Sequence, residues 1–267
     1  MGFRTAGAVL LAATIGVTLL VGCASPAAEP AAAETPVASA TRTPTPSPTP
    51  TPTQDPSPVL SEQTVAGIGS DDRVDLDEAP TGTQSVMVDF TCAEGDAFSV
   101  EYGDSMMLGQ APLQGECGAP QQLWVPLLPQ SQPFLWVTVA DGVEWEASVV
   151  ASSNPFAQDA ALVDECAGFA DVFSQLQNAD DGYGFYAAFG SSEWYERVDA
   201  ATGDLAALVA SAASELEPSL RAVLATLEER DRVPGAALED VWDEFRTITT
   251  ACDRNQSPVE ITAEFGG

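Results

Sequence analysis

The chain reads as an α+β protein in two domains, a small N-terminal β-sandwich followed by a C-terminal antiparallel helix bundle. Three observations carry that reading. Apolar residues alternate with period two up to about residue 153, and after Asn154-Pro155 they recur with a helical period. Four of the five cysteines fall two to each block, Cys92 with Cys117 and Cys166 with Cys252. Ahead of both blocks runs a Thr/Pro/Ser-rich stretch without aromatic residues, which has too little apolar surface to form a core.

Residues 1–22 fit a signal peptide: a basic Arg4, an apolar run from about Ala6 to Val21, and a small residue before the cut. The run is short for a spanning helix, which needs roughly 20 apolar residues. Leu20-Val21-Gly22-Cys23 resembles the lipobox of bacterial lipoproteins. That resemblance implies cleavage before Cys23, a diacylglycerol thioether on its sulfur, palmitate-type acylation and attachment to the outer face of the cell membrane. Two or more acyl chains hold a protein lastingly on a bilayer.

Residues 23–60 are expected to be a disordered tether. Their Thr-Pro alternation, Thr43-Pro44-Thr45-Pro46-Ser47-Pro48-Thr49-Pro50, favours extended polyproline II at about 3.1 Å per residue, a reach of roughly 100 Å. Such a tract serves as a plain spacer or as an acceptor of O-glycans.

The sandwich is expected over 61–154. Val86, Val88 and Phe90 alternate with Met87 and Asp89, one buried face of a strand. Further strand candidates are Arg73–Leu76, Ala97–Tyr102, Gln122–Leu127, Phe134–Val139 and Glu144–Ala151. Turn-forming clusters separate them, among them Ala79-Pro80-Thr81-Gly82, Gly115-Glu116 and Asp141-Gly142. The bundle is expected over 155–256. Leu162, Cys166, Phe169, Phe173 and Leu176 make one apolar stripe; Trp194, Val198, Leu205, Val209 and Leu216 make a second. Pro218 interrupts, Leu220, Val223 and Leu227 follow, and Val241, Trp242, Phe245, Ile248 and Cys252 form the last stripe. Residues 257–267 are a C-terminal tail, loose or forming a short extension.

Composition narrows the function. The net charge is −31, with nine basic residues, all arginine, against forty acidic ones, and there is no histidine. Removing residues 1–22 takes away Arg4 and no acid, so the mature chain is more negative still. Nucleic-acid binding needs basic surface to displace counterions, and an anionic bilayer surface repels this chain. Without His or Lys there is no Ser-His or Cys-His nucleophile, no imidazole ligand and no Schiff base. Carboxylate chemistry of the glycosidase type remains.

Assigning Cys23 to lipid leaves an even number of cysteines for an oxidising compartment. Four cysteines permit three pairings. Cys92–Cys117 and Cys166–Cys252 is the choice that keeps each bridge within one compositional block.

Candidate sites are few. The acidic run Asp71–Glu78 lacks the glycine and alternate oxygen ligands of a calcium loop, so it reads as a solvated face and no metal or other cofactor is expected. Trp124, Trp136 and Trp145 lie on expected strands, either in the core or as a sugar-stacking face. Tyr183, Phe185 and Tyr186 lie in a Gly-rich connection, either packing over the helices or offering an apolar contact surface. Glu193, Glu196 and Asp199 share a helix face near Trp194, either as neighbouring carboxylates on a solvated helix or as a desolvated pair for acid-base work.

Val74-Asp75-Leu76, Ala79-Pro80-Thr81-Gly82-Thr83 and Val86-Met87-Val88-Asp89-Phe90-Thr91-Cys92 resemble disulfide-bearing β-domains of cell-surface lipoproteins of high-GC Gram-positive, actinobacterial type. The Lys-free, Ala-rich composition and the Thr-Pro tether are similar too. The resemblance implies no activity. The expectation is a non-enzymatic, monomeric, lipid-anchored surface protein with a binding or scaffold role. Its partner would be a cell-wall glycan or an envelope protein. The alternatives are a carbohydrate-binding module using the strand tryptophans and a carboxylate-dependent hydrolase.

Overall fold

The computed structural model describes residues 54–69, 72–93, 97–104, 106–229 and 231–266, which belong to one compact unit. The expected signal peptide, Cys23 and the Thr-Pro tract lie outside them. The protein is mixed α and β, with two four-stranded antiparallel sheets followed by four α-helices. No helix among the described residues is long and apolar enough to cross a membrane.

The strands are β1 (Val59–Ile68), β2 (Asp72–Asp75), β3 (Ser85–Cys92), β4 (Ala97–Tyr102), β5 (Leu113–Glu116), β6 (Gln121–Pro126), β7 (Phe134–Thr138) and β8 (Glu144–Ser152). One sheet has the order β1-β8-β3-β6 and the other β2-β7-β4-β5. Alternation decides which side chains face inward. Val86, Val88 and Phe90 of β3, Leu123 and Val125 of β6, and Trp145, Ala147 and Val149 of β8 point from the first sheet. They meet Phe98, Val100 and Tyr102 of β4, Leu113 of β5 and Leu135 and Val137 of β7 in one buried cluster. Burying each large apolar side chain stabilises by about 1.5–3 kcal/mol, and this shared interior holds the two sheets together.

Two strands depart from the sequence reading. Gly115-Glu116, read as a turn, lies in β5, where Gly115 pairs with Phe98 of β4. A Cβ on Gly115 would come 2.6 Å from the Phe98 ring, so the glycine serves close packing here rather than a turn. β1 begins at Val59, within the segment read as tether, and pairs with β8 as far as Ile68 opposite Glu144.

The helices are α1 (Ala160–Asp180), α2 (Ser191–Ser211), α3 (Glu217–Leu227) and α4 (Trp242–Arg254). Asp159 caps α1, its carboxylate accepting from the N–H groups of Ala161 and Leu162 at 2.8 and 3.3 Å. That satisfies two of the donors every helix start leaves open. Pro218 sits in the first turn of α3, where its missing N–H costs nothing, so it begins a helix rather than merely interrupting one. Leu216 is the residue before α3 rather than part of α2. The apolar stripes of all four helices converge on one cluster, with Trp194, Phe169, Leu176, Leu205, Leu220 and Phe245 almost fully buried. Trp242, placed in the last stripe, is 52 % exposed because it opens α4 instead of facing that cluster.

Hydrogen bonds fix the helix directions. Glu165, near the start of α1, accepts from Ala213 N, Ser214 N and Ser214 Oγ just after α2, at 2.7, 2.9 and 2.5 Å. Asp180, at the end of α1, accepts from Trp194 Nε1 near the start of α2 and from Ala237 N and Leu238 N ahead of α4. Cys166 on α1 is bonded to Cys252 at the end of α4. α2 and α4 therefore both run antiparallel to α1.

The helices join the sheets at the opposite end from Asp180. Arg254 of α4 donates to Gln114 O of β5 at 2.9 and 3.1 Å and to Gln121 Oε1. The Gln256 side chain bonds Ala111 N and O. Phe156, on the connection from β8 to α1, covers Met87, Trp124 and Val150 on the outer face of the first sheet.

Candidate functional site

The cysteines pair as Cys92–Cys117 and Cys166–Cys252, spanning 25 and 86 residues. The first ties the end of β3 to the turn before β6; the second ties α1 to α4. Chain-entropy arguments give about 3.5 and 4.6 kcal/mol as upper values for loops of these lengths. No thiol is left among the described residues for nucleophilic work.

The three strand tryptophans do not share a face. Trp145 points inward, 3 % exposed, and stacks near Phe90 with ring centroids 6.0 Å apart. Trp124 points outward from the first sheet but is 9 % exposed, because Phe156 and the helical part cover that face. Trp136 alone is open, at 42 %, on the outer face of the second sheet between Arg73 and Glu101 on the paired strands. Beside it Arg73 lies 4.1 Å over the Phe134 ring and bonds Asp75 at 3.0 Å. A three-ring stacking platform is thus absent, and a single exposed indole remains.

Trp124 instead lines a cleft of about 420 Å³ where the sheets meet the helices. Phe156, Leu162, Gln122, Glu215 and Arg254 also line it. Most polar groups at this junction are engaged: Asn255 holds Asp159 N and O, and Gln158 donates to Asn255 O and Gln256 O. These bonds commit much of the polar lining to the protein's own structure.

Glu193, Glu196 and Asp199 are all exposed on α2. Glu193 pairs with Arg197 at 3.1 Å and Asp199 with Arg232. Trp194 faces away from them into the core, its indole N–H donating to Asp180 at 2.8 Å. Two of the three carboxylates are committed to ion pairs on an open surface, the opposite of a desolvated acid-base pair. No group of three potential metal ligands occurs among the described residues.

The Gly-rich connection forms the most distinctive surface. A π-helical turn, Asp181–Phe185, continues α1, and Tyr186 N closes onto Asp181 O at 2.9 Å. Ala188 N bonds Gly182 O at 2.7 Å, with Ala187 between them held at φ +47°. Left-handed backbone is uncommon for alanine and persists only where its surroundings enforce it. Gly182 is the reason the turn fits: a Cβ there would lie 2.4 Å from Phe189 and 2.8 Å from Phe265. Tyr183 is half-buried against the helical core beneath the Gly235 turn. Phe185 and Tyr186 face outward, 79 % and 44 % exposed.

The C-terminal segment braces this connection. Asn178 donates to Thr262 O and accepts from Glu264 N, at 2.8 and 2.7 Å, and Thr262 N donates to Ser174 Oγ at 2.9 Å. Phe265 stacks on Tyr186 with centroids 5.6 Å apart. Arg197 lies 4.5 Å over the Phe189 ring and bonds Glu264 at 2.6 Å. The hydrogen bond from Arg197 holds the Glu264 carboxyl below its ordinary range. This bracing was invisible in the sequence, since the segment is short, has no helical stripe, and makes several of its contacts through backbone groups.

Compared with known proteins, the chain matches no family model, and no curated protein matches it.

Proposed function

We propose that this is an exported, lipid-anchored envelope protein without catalysis of its own, in which a β-sandwich over 61–154 and an antiparallel helix bundle over 155–256 act as stapled binding or scaffold modules. The cysteine inventory carries the proposal. The two bridges use four of five cysteines and leave Cys23, which ends the lipobox-like Leu20-Val21-Gly22-Cys23. Disulfides persist outside the cytoplasm, so their presence and the lipobox support the same address by independent chemistry. The ion-paired carboxylates on α2 and the lack of histidine support a non-enzymatic role.

The test is acylation of the full chain in an actinobacterial host. Wild-type protein is expected to incorporate labelled palmitate and to yield an N-terminal peptide with the mass of a diacylglyceryl-modified Cys23. Cys23→Ala should take up no label. Unlabelled wild-type protein recovered in soluble form would overturn the anchor.

A further inference from the structure

The geometry points to the aromatic tip at Phe185 and Tyr186 as the docking anchor for a basic, apolar segment of a partner protein. This deepens the binding part of the proposed function and is independent of the anchor at Cys23.

The backbone of the tip is closed by bonds that do not involve the Phe185 side chain. They run from Tyr186 N to Asp181 O and from Ala188 N to Gly182 O. Phe189 and Phe265 fill the space beneath, and the Asn178 and Arg197 bonds hold Phe265 in place. Phe185 stands on this base 79 % exposed, its ring 4.9 Å from that of Tyr186 and nearly perpendicular to it. Most interface energy comes from a few aromatic or Arg anchors, and an anchor already ordered loses little entropy on binding.

Charge selects the occupant. The segments that meet at this end of the helices, residues 180–199 and 228–246, carry twelve acidic residues and four arginines. Arg197, Arg232 and Arg246 are paired with acidic residues of the protein itself, which neutralises both members of each pair, and the two segments still hold eight more acidic residues than arginines. An anionic bilayer would be repelled, and so would a second copy of a chain with net charge −31. A cationic segment that offers a pocket or apolar side chain to Phe185 satisfies both features, with the surrounding carboxylates steering its approach.

The experiment titrates the full chain with three synthetic peptides of equal length: lysine–leucine, lysine–serine and glutamate–leucine. The lysine–leucine peptide is expected to bind about tenfold more tightly than the lysine–serine one, with the glutamate–leucine peptide failing to bind. Phe185→Ser should erase the tenfold difference and leave the melting curve unchanged, and Phe185→Trp should preserve it. Equal binding of both lysine peptides, or unchanged selectivity in Phe185→Ser, would show bulk charge alone and overturn the proposal. Tighter binding to phosphatidylglycerol vesicles, or self-association in sedimentation that Phe185→Ser abolishes, would assign the tip to a membrane or to a second copy instead.

Discussion

Among the described residues, Asp253 is the carboxyl that burial moves furthest. It sits half-buried on α4 beside Cys252, and no hydrogen bond reaches its carboxylate among the described residues. Desolvation pushes its pKa from 3.8 to about 6. Between about pH 4 and 6 the folded form therefore holds a proton that the unfolded form has released. Stability from this group is fully present below about pH 4 and falls as pH rises through about 6. Since Asp253 is only partly shielded, solvent screening reduces the loss to the order of 1 kcal/mol. Asp253→Asn should match wild type near pH 4 in urea unfolding and exceed it by about 1 kcal/mol at neutral pH. A variant less stable than wild type at neutral pH would contradict this. Nothing in the sequence singles Asp253 out among forty acidic residues, because desolvation depends on what packs around it.

Individual elements were legible where one periodic face does the packing. β4 and the inward residues of β3 and the helices follow from alternation and apolar stripes, since burial itself imposes those periods. β1 was hidden because it is an edge strand with mostly exposed side chains, held by its backbone ladder to β8. Trp124 could not be placed from its parity, because the cover on its outward face comes from Phe156, thirty-two positions away in the chain. The joint between α1 and the α2–α3 connection was equally hidden. There the buried Glu165 carboxylate replaces water for two backbone N–H groups and a hydroxyl. Glu165→Ala should destabilise the protein by about 2–3 kcal/mol in urea unfolding, because it strands those donors. Glu165→Gln should recover part of that, retaining one acceptor oxygen. A loss within experimental error in Glu165→Ala would mean that the connection relaxes to reach solvent.

At the scale of the molecule, each bridge lies wholly within one structural part, Cys92–Cys117 among strands and Cys166–Cys252 among helices. If sheets and helices are separable domains, removing one bridge should weaken one part only. Replacing Cys166 and Cys252 by alanine is expected to lower the helical transition, by up to about 4.6 kcal/mol of stability. Hydrogen-exchange protection of the β3 and β8 amides should then persist to higher temperature. Simultaneous loss of both signals would show one cooperative unit, with Arg254 and Gln256 joining the parts more firmly than two domains require.

The chain enters and leaves the sheets at the same place. Gln54 bonds Pro155 O and Ala157 N, and Asn154 bonds the backbone carbonyls of Asp55 and Ser57. Tension arriving through Gln54 and resisted by the helices would therefore pass straight across this knot of side-chain bonds, leaving both sheets unloaded at the side. Once the knot yields, β1 would peel from β8 one pair at a time, starting at Val59 opposite Ser152, because those ends lie together. Peeling loads bonds in sequence rather than together. Under such a pull the knot, rather than the sheet, would set the mechanical limit.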